Sequence, residues 1–286
     1  MGGTDPAADN TVDGTDDDAL YVLTAVLLTP AQFPSVLGDD YPAACAALGL
    51  EPYAEGYGLV LGQDGEGARW TVVVDDVSLV AVAIASWDCG MAYDLSPDER
   101  SVVAALPGWP LAVATAASDL PEPHDPEPEE GDPTPLTPPS ADVWGPAQRR
   151  LGADEVALQW AAWRARMDDE AGTDEAGTGT EEPPGDGAGG SADAPPGPYG
   201  GVRRALAELR GYLEAPPPVG RVRSSFATGG ARMLRADGPG WSLVARTDDM
   251  AFVLLDDEPR EVLPVTRGPE LPALLEALDA MAVRPS

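Results

Sequence analysis

The chain has 286 residues and is strongly acidic: 49 Asp and Glu stand against 17 basic residues, every one an Arg, for a formal net charge of −32. Such a polyanion repels phosphate backbones and anionic lipid headgroups, so neither nucleic acid nor membrane is an expected partner. The absence of Lys removes Schiff-base and P-loop lysine chemistry, and a lone His124 with two separated Cys leaves no ligand set for a zinc-type centre.

Residues 1–18 lack apolar periodicity and read as a disordered acidic tail. An N-terminal α+β module is expected over 19–118. Its first apolar run, 20–28 (LYVLTAVLL), fits strand or helix equally. A helix over 42–48 stops at Gly49, and a Gly-flanked apolar segment, Gly58–Gly62, leads through the turn DGEG (64–67) into WTVVVDDVSLV at 70–80. Residues 56–62, GYGLVLG, open a strand rather than a helix. They lack the helix N-terminus of a dinucleotide fingerprint, and no cofactor is expected. Ser96, Pro97 and Glu99 read as a capping box that opens a helix reaching Leu106.

A Pro/acid linker follows over 119–141; fixed φ and like-charge repulsion predict an extended, solvated chain. Within 142–167, Asp154 is placed to cap a helix whose Val156, Trp160, Trp163 and Met167 form one apolar stripe, decorated by Arg149, Arg150, Arg164 and Arg166. So short a helix needs a surface to rest on. Docking on one of the modules and recognition of another protein both satisfy that need. Residues 168–200 are low in complexity, with the tandem DEAGT DEAGT at 169–178.

The C-terminal α+β module spans 201–286. It begins with a helical stripe, Val202, Leu206, Leu209 and Leu213, and continues through Gly230–Arg235, the turn DGPG (237–240) and WSLVARTDDMAFV at 241–253. Pro269 opens a last helix with Leu271, Leu274, Leu275 and Leu278 on one face. Aligning Trp70 with Trp241, and Asp75-Asp76 with Asp248-Asp249, suggests a duplication of an α-β-β-β-α module with antiparallel sheets. Trp70 and Trp241 are expected in the cores, as is Cys45, with Cys89 exposed.

The Ala-, Gly-, Pro- and Asp-rich composition points to a GC-rich, actinobacterial genome. No basic N-terminal region leads into an apolar core, and no apolar run approaches the ~20 residues that span a bilayer, so the cytoplasm is the expected address.

The residues with the strongest claim to function are Trp160, Trp163, Met167 and Arg164 on the Trp-rich helix, with Arg221 and Arg223 alternating in GRVRSSF. For the two arginines, a mixed-charge sheet face paired with local acids competes with a site for an acidic peptide or for the protein's own acidic module. Asp75, Asp76, Asp248, Asp249 and Asp256–Glu258 read as turn carboxylates. A non-enzymatic adaptor or chaperone that binds another protein accounts for these features. The alternative is an enzyme working on an anionic small molecule with carboxylates and Arg alone. The segment Trp241–Val244 (WSLV) and the closing Leu271–Leu278 helix resemble the actinobacterial type VII secretion chaperones of the EspG family, over the last ~80 residues. That resemblance implies a pseudo-symmetric pair of sheet-and-helix halves and the binding of helical secretion substrates. The long central insert departs from the family pattern.

Overall fold

Alternating apolar residues and Gly-rich turns organise the β-structure into two sheets, one of four strands and one of five, giving an α+β fold. The computed structural model describes residues 20–91, 95–110, 121–128, 130–138, 142–174 and 198–284. The readings made for 1–18 and for 175–197 lie outside the described residues. In chain order the elements are β1 (Tyr21–Leu28), α1 (Tyr41–Ala47), β2 (Tyr57–Gln63), β3 (Arg69–Val74), α2 (Val77–Asp88) and β4 (Val102–Pro107). Then come α3 (Pro146–Leu158), α4 (Trp160–Asp174), α5 (Pro198–Glu214), β5 (Val222–Phe226), β6 (Arg232–Gly238), β7 (Trp241–Arg246), β8 (Ala251–Leu255), β9 (Leu263–Val265) and α6 (Leu271–Met281). Two compact units result, each assembled from two stretches of chain: residues up to 26 with 58–137, and residues 27–57 with 138 onward.

In the first unit the sheet order is β1-β2-β3-β4, with β2, β3 and β4 pairing antiparallel. Every residue of β2 is buried, as befits a central strand. The ambiguous run 20–28 is therefore strand. Three expectations change here. Residues 77–88 form a helix rather than a second strand after Asp75-Asp76, because the Asp76 carboxylate caps it by accepting from Leu79 N at 2.9 Å. The helix expected over 96–106 is replaced by β4, whose β-branched start Val102-Val103 extends along β3. Trp70 is only half-buried, with its Nε1 donating to Asp64 Oδ2 at 3.2 Å.

The Pro/acid tract also differs from a free solvated chain. His124 N donates to Gly67 O at 3.0 Å and His124 O accepts from Arg69 N at 2.8 Å, while Arg69 and Asp125 form an ion pair. Further on, Leu136 N donates to Pro107 O at 2.7 Å. Both anchor points use glycines with positive φ, Gly67 (+95°) and Gly108 (+79°), and a Cβ on either would strike strap backbone, at Glu122 O and Leu136 O respectively. Residues 121–137 are thus a strap fastened at two places.

In the second unit β5 to β9 form an antiparallel sheet in sequence order. Period-two alternation sends Val222, Leu234, Trp241, Leu243, Val253 and Leu255 to one face, where Leu209 of α5 and Leu275 and Leu278 of α6 complete the larger core. The opposite face carries Val244, Phe252 and Leu254 under Ala153, Val156 and Trp160 of the α3–α4 pair. The helix start expected at Asp154 lies instead at Pro146, after Gly145, and the helix breaks at Gln159. Asp154 sits inside α3 as an ion-pair partner. Trp70 and Trp241 both open the third strand of their sheets, but the next element differs: β3 runs into a helix, whereas β7 turns back as a hairpin to β8. The first unit therefore does not have α-β-β-β-α order.

Candidate functional site

The second face of the five-stranded sheet has an apolar end and a polar end. At the apolar end the Trp-rich stripe is laid on β7 and β8. The Trp160 ring meets Phe252 edge-on at 5.2 Å and Trp163 meets the same ring at 6.4 Å. Asp249, in the β7–β8 turn, faces two donors, Trp160 Nε1 at 3.4 Å and Arg164 Nε at 3.3 Å. Arg164 also pairs with Asp168, whose hydrogen bond holds the guanidinium charge firmly in place and pushes its pKa up. Trp160 is buried, whereas Trp163 and Met167 are half-buried and Arg164 is 36% exposed. Trp144, anchored by its Nε1 donating to Leu255 O at 3.0 Å, stands beside Trp163, and the two border a cavity of about 290 Å³ with Leu151, Leu254, Val262 and Arg260.

The polar end is a buried ion network. Arg149 and Arg150, read from the sequence as decorating the apolar stripe, are fully buried, because α3 lays them against β6, β7 and residues 33–40. Arg149 donates from Nη2 to Asp39 Oδ2 at 2.6 Å and from Nε to Ser242 Oγ at 3.2 Å. Its Nη1 lies 2.6 Å from Asp256 Oδ1 outside hydrogen-bond geometry, so that contact is Coulombic. Asp256 is thereby an ion-pair partner rather than a solvated turn residue. Arg150 Nη1 donates to Asp154 Oδ1 at 2.9 Å, and Arg235 Nη1 reaches the same oxygen at 2.6 Å. The carboxylate of Asp237, wholly buried, lies 3.3 Å from both Arg150 Nε and Arg223 Nη2 and accepts from Ser242 Oγ at 2.7 Å.

Arg221 pairs with Asp40, which also caps α1 by accepting from Ala43 N at 2.8 Å. Five arginines (149, 150, 221, 223, 235) thus meet five aspartates (39, 40, 154, 237, 256), and the network is neutral. Neutrality permits burial; unpaired, each ion would cost several kcal/mol.

Local imbalance survives within that neutrality. Arg223 and Arg235 face each other directly across β5 and β6, and Phe33 presents its ring to Arg223 at 4.9 Å and to Arg150 at 5.1 Å. Burial, and then the Arg150 charge, push Arg223 down to about 10, still protonated at neutral pH. Burial and neighbouring Asp40 push Asp39 up, against the pull of Arg149.

Trp160, Trp163, Met167 and Arg164 are therefore at one end of the sheet face, and Arg221 and Arg223 at the other, where local acids surround them. Sequence reasoning does not find Asp39, Asp40 or Trp144. Only Asp40 carries a readable signal, an Asp directly before a Tyr-Pro helix start. Cys45 is buried and Cys89 exposed. Among the described residues no group of three or more His, Cys, Asp or Glu is arranged to hold a metal ion, and no helix is long and apolar enough to cross a membrane. No protein-family model matches the chain, and no curated protein or solved structure is significantly similar to it.

Proposed function

We propose that the chain is a non-enzymatic protein-binding module, adaptor- or chaperone-like, with α4 and the Trp144–Trp163 cavity as its contact site. The observation that carries this reading is the unequal fate of the two stripe tryptophans. Trp160 is spent on the core, while Trp163 keeps an accessible side next to a second tryptophan, with Arg166 stacked over its ring at 4.4 Å. Half-buried Trp beside Arg is the composition of interface hot spots. A partner presenting an apolar side chain would fill the cavity and meet a guanidinium rim at Arg166 and Arg260. Within this proposal the chain is a secretion-associated chaperone of an actinobacterium, and its two sheets share a common origin.

Crosslinking and affinity capture from the native cell test it, with the wild-type chain compared against Trp163→Ala and Trp160→Ala. Trp163→Ala is expected to abolish capture at a stability cost of about 1–2 kcal/mol, and Trp160→Ala to cost about 3–5 kcal/mol. Undiminished capture by a folded Trp163→Ala chain would overturn the assignment of the site.

A further inference from the structure

The first unit holds a second cavity, of about 330 Å³, behind the Pro/acid strap. Its inner wall is Trp70 with Ala105 and Pro107; its outer wall is the strap itself, with Pro residues interleaved with Glu127 and Asp132. We propose that this cavity binds an alkylammonium or guanidinium group, presented on a Lys or Arg side chain of a basic partner. The site is separate from the one assigned to α4, and either can fail without the other.

Three observations converge on that ligand class. The first is the pairing of an indole wall with carboxylates, the arrangement that attracts a cation through both the ring quadrupole and opposite charge. Trp70 is held for that role, since its Nε1 donates to Asp64 at 3.2 Å and Asp64 in turn accepts from Glu66 N and Ala68 N at 3.0 Å each.

The second is that the unit is poor in cations of its own. Its arginines are Arg69 and Arg100; Arg69 is committed to Asp125 and lies over Trp109 at 5.3 Å. Among the described residues Glu127 has no cationic partner. The strap sequence 121–137 adds six carboxylates and no Arg.

The third is the strap's fastening. Residues 126–128 and 130–135 are suspended between the anchors at His124–Asp125 and Leu136. Proline fixes φ along this span, so its walls are preorganised. The volume lies at the small end of ligand pockets, suited to one or two extended side chains rather than a folded element. The acidic field of the whole chain, net −32, adds steering of a basic partner toward it.

Isothermal titration of the full chain in about 0.15 M salt, where exposed charges are screened within ~8 Å, tests the proposal. The probes are a short Lys-containing peptide, the same peptide with Gln for Lys, and methylammonium chloride as competitor. The Lys peptide is expected to bind at one site, at least tenfold more tightly than the Gln peptide, and methylammonium is expected to displace it. Trp70→Leu, which keeps the apolar volume and loses the ring, weakens binding about 5–10-fold, while Trp70→Phe stays closer to wild type. Glu127→Gln with Asp132→Asn weakens it about tenfold, and this pair decides the matter if Trp70→Leu does not fold. Glu66→Gln with Glu99→Gln removes the same charge elsewhere in the unit and leaves affinity within about twofold. If that control pair weakens binding as much as the cavity pair, or if folded Trp70→Leu binds like wild type, binding follows net charge alone and the proposal is overturned.

Discussion

Asp237→Asn is the most informative single change in the ion network. The amide keeps the shape and its oxygen can still accept from Ser242 Oγ, but its NH2 then stands where Oδ2 faces Arg150 and Arg223, so one acceptor is lost with the charge. Asp237 is fully buried and lies 3.3 Å from Arg150 and from Arg223. At an effective dielectric of about 20, each contact is worth roughly 5 kcal/mol of attraction, about 10 together. Leaving the carboxylate out of the interior recovers several kcal/mol of desolvation, so the net loss is about 3–5 kcal/mol. Urea unfolding followed by circular dichroism measures it. Because the pairs are buried, raising salt from ~0.05 to ~0.5 M should leave the difference unchanged. Adding Arg150→Met to Asp237→Asn should restore part of the loss by bringing the network back to neutrality. A loss under ~1 kcal/mol, or one that vanishes in salt, would mean that water reaches Asp237 and that the network is not the dry structure its burial implies.

Neighbouring contacts set further expectations. Trp160→Ala should lower the urea midpoint by the equivalent of ~3–5 kcal/mol through loss of its packing on Phe252. Asp39 has its folded pKa raised above 3.8, so its protonated form favours the fold: the contribution is present below that value and lost as pH rises through the folded pKa. Wild type should therefore gain on Asp39→Asn as pH falls from 7 toward 4, measured by thermal unfolding across that range; a flat difference would refute it. Gly108→Ala forces a side chain into positive φ and against Leu136, at a cost of about 1–3 kcal/mol. A Glu-specific protease should then cut the strap at Glu127 and Glu130 roughly tenfold faster, while wild-type rates would show that the anchor is dispensable.

Local chemistry decided what could be read from sequence. The Gly49 stop, the alternation in Trp241–Arg246 and the leucine face of Leu271–Met281 all act within a few residues, and each appears where expected. Val77–Asp88 went the other way because small and β-branched residues suit a buried strand or a buried helix, and the Asp76 cap decided between them. The capping pattern at Ser96–Glu99 had no apolar helical stripe behind it, and pairing with β3 prevailed. The burial of Arg149 and Arg150 was invisible for a different reason. Its cause, Asp39, lies 110 positions away, and no local pattern distinguishes an arginine that meets such a partner from one that meets water.

That separation has a consequence for the order in which the protein can be made. Residues 27–57 leave the ribosome before the arginines that hold them, Arg149 and Arg221, which come 110 and 181 residues after their aspartate partners. At about 5–20 residues per second the early segment waits roughly 5–40 seconds for its counterions. A wholly greasy segment left waiting that long would invite aggregation; one that carries Asp39 and Asp40 is easier to keep in water. The second unit is finished by a latch whose carboxylates are made well before the arginines that close it.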